Sequence, residues 1–459
     1  MMQTNHYQGG DRLLFGMVLG VLTFWLFAQS LVNVAPDVQR DLSIPMGSLN
    51  LAISLTALFS GCFIVMAGGL ADKFGRVRLT YIGFGLSITG SLLLIVANGG
   101  VLFTMGRIVQ GLSGACVMPA TLALIKNYYV GAQRQRALSF WVIGSWGGSG
   151  ICSLAGGVIA TYLGWRWIFI FSIMCALLGM LLIRGTPESK VNEETPSPFD
   201  YAGLMMFVLS LVSLNLIITK GSALGWTSLA TLGLGLVCVL ALIAFVRIEL
   251  KKKRAGFIDF SLFNNKPYSG AVFSNFMLNA VLGTLLVANM YMQNGRGLTP
   301  FQSGLMSIGY VVAVLSMIRV GEKLLQRVGA KKPMLCGPLI TGSGVALMTL
   351  TFLPDRAYLA AVVVGFVLFG LGLGFYATPS TDTAIANAPL DKIGVASGIY
   401  KMASSLGGAF GVAISATVYT AFLPAGVDVA ATAGLLVNVG FSLLAFLVIC
   451  LMVPANAGR

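Results

Sequence analysis

The chain carries little charge for its length. Only 10% of its 459 residues are Asp, Glu, Lys or Arg, whereas soluble domains contain about 25%. Such a sequence has too few charged side chains to cover a surface that faces water, which excludes a soluble globular protein. Its hydrophobic content is 57%, and apolar segments of about 20 residues, the length needed to cross a bilayer, recur along it. This composition predicts an all-α polytopic membrane protein.

Residues that bind metals or catalyse reactions are also scarce. The single histidine, His6, lies in a polar N-terminal segment, and the seven cysteines fall inside apolar runs without metal-ligand spacing. The sequence has no GxxxxGK[ST] phosphate-binding loop and no recognisable catalytic triad. We therefore expect neither an enzyme nor an ATP-driven pump, and no metal or cofactor. Residues 1–12 lack the features of a cleavable signal peptide, so the first apolar segment is expected to remain as an anchor.

Fourteen segments are long and apolar enough to be transmembrane helices. They are residues 13–35, 48–71, 78–98, 101–128, 137–163, 167–183, 200–219, 228–246, 268–292, 302–325, 333–353, 357–385, 395–422 and 430–453. An even number of spans places both termini on the same side of the membrane.

The distribution of basic residues gives the orientation. A formal net charge of +14 would suit a nucleic-acid partner, but the basic residues collect in alternate loops. With both termini in the cytoplasm, 21 of the 29 Lys and Arg lie in or beside cytoplasmic segments, 5 lie in external loops and 3 lie inside spans. This bias follows the positive-inside rule. We therefore expect cytoplasmic termini, contact with membrane lipids and no nucleic acid.

Two polar loops divide the spans into groups of six, two and six. The predicted parts are a cytoplasmic tail (1–12), an N-terminal six-helix half (13–185), an inserted two-helix pair (198–247), a basic and amphipathic cytoplasmic linker (248–267) and a C-terminal six-helix half (268–453). The two halves repeat each other, since Pro119 and Thr121 in span 4 recur as Pro379 and Thr381 at the same offsets in span 12. Internal repeats of this kind are typical of secondary transporters.

A charged turn joins spans 2 and 3, where residues 68–79 read GGLADKFGRVRL. This pattern resembles the loop after the second helix in the major facilitator superfamily. The segments RIVQGLSGA (107–115), GWRWIF (164–169) and YATPSTDTAIANAPLDK (376–392) resemble its fourteen-span drug:proton antiporter branch, and within it the quinolone efflux pumps of staphylococci. The resemblance implies the major facilitator fold and a monomer in the bacterial cytoplasmic membrane. It also implies proton-driven export of fluoroquinolones and other amphipathic drugs by alternating access.

Ionisable residues inside the predicted spans are candidates for proton coupling. Of the fifteen acids, only Glu322 in span 10 and Asp382 in span 12 lie clearly inside spans. Arg319 lies one turn from Glu322, and Lys401 lies near the inner end of span 13, so both cations are candidates for gating. Burial and a nearby cation would let a carboxylate exchange a proton as the carrier changes state. The alternative is a set of ion pairs that close an inner gate.

The resemblance also reveals a departure in span 1. The antiporter branch usually has an aspartate five residues before the span-1 asparagine, and the corresponding residue here is Ala28. The usual proton carrier of that span is therefore missing. The expectation for proton coupling shifts to Glu322, Asp382 or Asp37, which lies at the outer end of span 1.

Three charged residues are further gating candidates. In the family, the aspartate of the charged turn and the arginine that follows it, here Asp72 and Arg76, are implied to stabilise one conformation through a helix N-terminus. Arg107 corresponds to the family's span-4 arginine. Its guanidinium needs a carboxylate, helix carbonyls or substrate as acceptors. The alternative is an arginine that snorkels to the outer interface.

Aromatic and amide side chains inside the spans are candidates for lining a central substrate cavity. The candidates are Trp25, Gln29, Asn33, Asn275, Asn279, Tyr376 and Tyr400. The three in span 1 are spaced four residues apart and share one helix face, as do the two asparagines of span 9. The alternative for each is a hydrogen bond between neighbouring helices.

Two other functions remain open at this point. The protein could export an endogenous metabolite or lipid-like molecule, with drugs transported incidentally. It could instead be a membrane receptor or assembly scaffold that transports nothing, although such a protein would normally need a sizeable soluble domain, which this sequence lacks.

Overall fold

A computed structural model describes residues 7–190, 200–225, 227–252 and 260–455. In these residues the regular secondary structure is helical, and no strand occurs among them. The described part of the chain forms seventeen α-helices. They are α1 (Asp11–Leu22), α2 (Leu31–Leu42), α3 (Met46–Phe74), α4 (Arg76–Ile95), α5 (Gly100–Tyr128), α6 (Gly131–Val142), α7 (Gly148–Tyr162), α8 (Arg166–Ile183), α9 (Tyr201–Leu224), α10 (Leu229–Lys252), α11 (Lys266–Ala280), α12 (Gly283–Asn294), α13 (Pro300–Val328), α14 (Lys331–Met348), α15 (Asp355–Asn387), α16 (Ile393–Phe422) and α17 (Val427–Met452).

Each predicted span coincides with one helix or with a pair of consecutive helices. Three spans are broken: span 1 becomes α1 and α2, span 5 becomes α6 and α7, and span 9 becomes α11 and α12. The breaks in spans 1 and 5 contain π-helical turns, at Thr23–Ala28 and Ile143–Gly147. Wider turns of this type are frequent at functional sites. In the first of them the N–H of Gln29 donates to the carbonyl of Phe24, five residues back, at 3.2 Å.

The predicted number of spans is not confirmed. Within the described residues, eleven helices are long and apolar enough to cross a membrane, or twelve if the pair around α6 and α7, bent by 51°, forms one span. Helix α14 is not among them, because two lysines at its start and several internal glycine, proline and hydroxyl residues lower its hydropathy. Of α9, only Tyr201–Leu214 counts as a short apolar helix.

The chain forms two compact units, and each unit combines three stretches of sequence. The first contains Met1–Val130, Gly148–Asn264 and Ala388–Met402. In it α5 packs against α3 and α4, and α8 packs against α1 and α4. Part of its core is a cluster of buried apolar side chains around Phe103, Trp165 and Phe169.

The second unit contains Gly131–Gly147, Asn265–Asn387 and Ala403–Arg459. In it α15 packs against α13 and α14, and α17 packs against α11 and α14. Short stretches of spans 5 and 13 are therefore grouped with the opposite half of the sequence, which the division into two six-helix halves did not anticipate.

Glycines bring the first turns of α16 close to α3 within the first unit. A Cβ atom added at Gly68 would overlap the carbonyl oxygen of Gly394, and one added at Gly394 would overlap that of Gly68. One turn later, a Cβ atom at Gly398 would lie 2.8 Å from the carbonyl oxygen of Ile64. Such close packing of helix backbones requires residues without side chains.

This packing predicts that Gly68→Ala destabilises the protein. The new methyl group would meet backbone, which cannot rotate away, and overpacking typically costs about 1–3 kcal/mol. Thermal unfolding of the purified protein in detergent should therefore show a lower midpoint. Gly61→Ala is the matched control on the same helix, since no atom lies within 4 Å of a Cβ atom there. Equal midpoints for the two variants would contradict the close contact.

Candidate functional site

The charged turn between α3 and α4 binds the start of α16. Asp72, in the last turn of α3, is 6% exposed. Its carboxylate accepts the backbone N–H of Gly394 at 2.8 and 3.0 Å to its two oxygens, and that of Val395 at 3.2 Å. The first N–H groups of a helix have no partner within the helix, and the helix dipole favours negative charge beside them. Asp72 therefore fixes the beginning of α16 to the end of α3.

Arg76, the first residue of α4, completes this contact. Its guanidinium donates to Asp72 Oδ1 from Nε at 3.1 Å and from Nη2 at 2.9 Å. It also donates to Ser189 Oγ at 3.0 Å and to the carbonyl oxygen of Leu390 at 3.1 Å. Both charged side chains are buried, and breaking a buried pair by removing one partner typically costs about 3–5 kcal/mol. The Asp72–Arg76 pair therefore connects the charged turn to two other segments. Through Arg76 it reaches the loop before α16, at Leu390, and the segment after α8, at Ser189.

Glu188 is part of this network and was missed by sequence reasoning. Its two carboxylate oxygens each accept a backbone N–H of α4, from Val77 and Arg78, at 2.9 Å. At Gly75, where φ is +120°, a Cβ atom would lie 2.5 Å from the Glu188 carboxyl carbon, so the position requires glycine. Glu188 lies in a polar loop, where no local pattern indicates that the chain folds back onto α4.

Arg107 in α5 is fully buried, which contradicts the alternative that it snorkels to an interface. Its Nη1 donates to the carbonyl oxygen of Ala28 at 2.7 Å and to Gln110 Oε1 at 2.8 Å, and its Nη2 donates to the carbonyl oxygen of Ile53 at 3.3 Å. Among the described residues no carboxylate forms an ion pair with it. The acceptors are thus two main-chain carbonyls and one side-chain amide. One of the carbonyls is that of Ala28, at the position where the antiporter branch usually has an aspartate.

Trp25 and Lys401 meet in the first unit. The Lys401 side chain is buried, and its Nζ lies 5.5 Å from the centroid of the Trp25 ring. A cation over an indole face is attracted by about 0.5–1 kcal/mol at exposed sites and about 2 kcal/mol or more when desolvated. Gln29 is half-buried, and Tyr400 is 3% exposed. The structure therefore brings together one gating candidate and one substrate candidate.

In the second unit, Asp382 forms an ion pair with a residue of α6. Its side chain is fully buried in α15, and its Oδ1 lies 3.0 Å from Nε of Arg134, whose side chain is 18% exposed. Arg134 was not among the sequence candidates, because it falls in a polar stretch before span 5. This buried ion pair joins α6 to α15.

Glu322 is also buried and paired. Its carboxylate accepts hydrogen bonds from Arg319, one turn away on α13, and from Gln326 Nε2 at 3.2 Å. The guanidinium carbon of Arg319 lies 4.8 Å from the ring centroid of Phe140 in α6, and that of Arg136 lies 5.4 Å from the same ring. Both candidate coupling carboxylates of this unit are therefore connected to α6 through arginines.

The remaining substrate candidates of the second unit are hydrogen-bonded to other helices or to each other. Asn275 donates to Ser404 Oγ at 2.7 Å, and Asn279 donates to Asn275 Oδ1 at 2.9 Å. The hydroxyl of Tyr376 lies 2.7 Å from Ser274 Oγ, and Tyr376 is 2% exposed. In this conformation Asn275 and Tyr376 make hydrogen bonds between helices, which was the alternative, whereas Asn279 is bonded to Asn275 within α11.

Asp37 and Asn33, near the end of span 1, are not among the buried candidates described above. Asp37 pairs with Arg40 at 3.2 Å, but the two side chains are 51% and 78% exposed, so the burial expected of a coupling carboxylate is absent. Exposed pairs of this kind contribute about 0–1 kcal/mol. The backbone of Asn33 lies in α2, and its side chain lies outside the described part of the chain.

Among the described residues, no group of three or more His, Cys, Asp or Glu side chains comes close enough together to hold a metal ion.

Comparison with known proteins gives three concordant findings. The sequence profile of the Major Facilitator Superfamily matches residues 13–411 and 268–458. The Quinolone resistance protein NorB of Staphylococcus aureus strain MRSA252 is 55% identical over 449 residues, which are 98% of this chain and 97% of that protein. NorB of strain Newman gives the same identity and coverage.

Solved structures show the same fold at low sequence identity. The proton:xylose symporter XylE superposes with a TM-score of 0.67 at 16% identity, covering 98% of this chain and 97% of its own. The human organic anion transporter MFSD10 superposes with a TM-score of 0.66 at 13% identity, covering 96% of this chain and 99% of its own.

The geometry at the charged turn predicts the effect of Asp72→Asn. A neutral amide accepts the N–H groups of α16 more weakly and leaves Arg76 buried beside it without its counter-charge. Hydrogen bonds to charged groups are worth about 1.5–3 kcal/mol, so amide exchange at the start of α16 should accelerate about tenfold or more.

Hydrogen–deuterium exchange of peptides covering residues 390–400 measures this change. Asp391→Asn is the control, since Asp391 lies before the same helix but is exposed. If amide exchange accelerated equally in both variants, any nearby acid would stabilise the start of α16. The contact made by Asp72 would then not be specific.

Proposed function

Because the chain belongs to the major facilitator superfamily, we propose that it is a proton-coupled multidrug efflux antiporter that exports fluoroquinolones and other amphipathic compounds. Members of this family are transporters and not enzymes, and the chain is a multi-pass membrane protein. One observation carries the proposal: relatives named quinolone resistance proteins are 55% identical over 98% of the chain. Identity at this level over nearly the whole length covers the spans that would contact a substrate.

The proposed topology has fourteen spans arranged as six, two and six, with both termini in the cytoplasm. It keeps the predicted parts: a tail (1–12), two six-helix halves (13–185 and 268–453), an inserted pair (198–247) and a linker (248–267). Its support is the agreement between the predicted spans and the observed helices, together with the excess of Lys and Arg in alternate loops.

Proton coupling is assigned to Glu322 and Asp382. Each carboxylate is buried and faces an arginine, so protonation would remove the negative charge and weaken the pair. At Asp382 the lost partner would be Arg134, and α6 would lose one of its connections to α15. A buried pair broken in this way costs about 3–5 kcal/mol, and one proton moved through 100 mV supplies about 2.3 kcal/mol. The two energies are of the same order, as coupling requires.

Gating is assigned to Asp72, Arg76, Arg107, Arg319 and Lys401. Asp72 and Arg76 hold the first turns of α16 in the first unit, and Arg319 contacts α6 through Phe140 in the second. In the proposed cycle these contacts break and re-form, which alternately exposes the substrate site to the two sides of the membrane.

Substrate contact is assigned to seven side chains. They are Trp25, Gln29, Asn33, Asn275, Asn279, Tyr376 and Tyr400. Trp25 and Gln29 are partly exposed in the present conformation. Asn275 and Tyr376 are hydrogen-bonded across helices, so they would reach a drug only after α11 moves relative to its neighbours, whereas the Asn279 amide is bonded within α11. The proposed partners are therefore amphipathic drugs, protons and lipids, with the protein acting as a monomer and the proton gradient as its energy source.

The assignment of coupling predicts the behaviour of Glu322→Gln and Asp382→Asn. An amide cannot exchange a proton at neutral pH but keeps most of the shape and hydrogen bonds of the acid. Both variants should therefore lose drug export driven by a proton gradient in inverted vesicles, while drug binding to the purified protein remains largely unchanged.

Asp37→Asn is the matched control, because it removes an acid from span 1 that is exposed to water. Full activity of Glu322→Gln and Asp382→Asn together with loss of activity in Asp37→Asn would contradict the assignment and move coupling to span 1. Protection of cells against a metabolite but against no drug would instead favour the exporter of an endogenous molecule.

A further inference from the structure

The hydrogen bonds of the buried Arg107 guanidinium do not use all of its donors. A guanidinium has five N–H donors and no acceptor. Three of them donate to Ala28, Gln110 and Ile53, which leaves two over. The Nε atom of Arg107 is buried and has no hydrogen-bond partner among the residues that the structure describes. The guanidinium can therefore still bind an acceptor.

Gln110 adds further donors beside the guanidinium. Its Oε1 accepts Arg107 Nη1 at 2.8 Å, so its amide nitrogen, bonded to the same carbon, lies close to the positive charge. Gln110 Nε2 is buried as well, and it has no partner within the described segments. On α4, a Cβ atom at Gly90 would lie 3.0 Å from Gln110 Cγ, so this side chain is packed in place. Two adjoining side chains therefore present buried N–H groups without acceptors, which is unfavourable.

The positive charge of Arg107 also has no counter-charge. The ion pairs of the described residues do not include it. Ala28 stands where the antiporter branch usually has an aspartate, and Asp37, farther along span 1, pairs with Arg40 in an exposed position. A buried charge is costly unless an opposite charge and hydrogen bonds offset its desolvation. The site therefore favours a ligand that brings one negative charge and accepts hydrogen bonds.

We infer that Arg107 and Gln110 bind a small monovalent inorganic anion such as chloride, which acts as the counter-charge of the guanidinium. The anion would accept N–H groups from Arg107 Nε and Gln110 Nε2, and bonds of this kind are strengthened by charge. Arg107 is 0% exposed and Gln110 is 3% exposed, so a ligand in this conformation has to be small. A neutral water molecule would leave the charge uncompensated. The ligand is thus neither a proposed substrate nor the coupled proton.

Such an anion would stabilise the packing of three segments of the first unit. Arg107 lies on α5, and its carbonyl acceptors belong to the π-helical turn of span 1, at Ala28, and to α3, at Ile53. A ligand that binds only the folded protein raises its stability as the ligand concentration rises. Thermal unfolding of the purified protein in detergent is therefore measured over a chloride series, with gluconate replacing chloride at constant ionic strength and pH.

A matched pair of variants locates the anion. Gln110→Glu keeps the shape of the side chain and places a carboxylate against Arg107, so the protein itself supplies the counter-charge. Gln302→Glu adds the same charge at an exposed position of α13 in the second unit.

The wild-type midpoint should rise by about 2 °C or more for each tenfold increase in chloride once the site begins to fill, and bromide should replace chloride. Gln302→Glu should respond as the wild type does. Gln110→Glu should lose the response, and its midpoint in gluconate should exceed that of the wild type.

Two results would overturn the inference. One is a wild-type midpoint that is the same in chloride and in gluconate. The other is an equal chloride response in the wild type and in Gln110→Glu, which would indicate a general effect of salt. If Gln110→Glu does not fold, Arg107→Gln decides the question, because it removes the cation and should also lose the response. None of these measurements involves drug transport, so their failure and the failure of the proposed function are distinguishable.

Discussion

The structure depends on the cost of placing charge inside a membrane. An ionised side chain in the hydrocarbon region is unfavourable unless another charge or several hydrogen bonds offset that cost. Asp72, Glu322 and Asp382 each meet an arginine, and the fully buried Arg107 is surrounded by main-chain carbonyls and an amide. Every one of these groups is therefore tied to a partner on another turn or another helix.

Such partnerships also fit the conformational role that we propose for the same residues. Asp72 connects α3 to the start of α16, and the pair of Asp382 with Arg134 connects α15 to α6. A contact of this type is strong while both charges are present and weak when one is neutralised. Charge pairs are thus suited to links that must break during a transport cycle, whereas the glycine contact of Gly68 with Gly394 allows the helices to come together closely.

The sequence predicted the helices well, because apolar runs and charged turns depend on local composition. It also predicted that Glu322 and Asp382 lie inside spans, since acids within apolar runs stand out, and the structure shows both side chains buried. It also placed Arg319 beside Glu322, where the structure shows an ion pair, but it predicted neither Arg134 as the partner of Asp382 nor the breaks in the spans. Arg134 and Glu188 lie in polar loops, where an ion pair or helix cap is made by residues far away in the sequence. The grouping of the first turns of α16 with the first unit likewise depends on contacts over some 300 residues, which no local pattern indicates.

In the proposed function, proton movement through Glu322 and Asp382 drives drug movement. It is tested most directly in proteoliposomes that contain the purified wild type and a pH-sensitive dye, with a quinolone added and the membrane potential clamped. The account predicts that the drug elicits a proton flux in the opposite direction, and that drug accumulation stops when an ionophore collapses the pH difference. Drug accumulation that continues unchanged after the pH difference has been removed would contradict it.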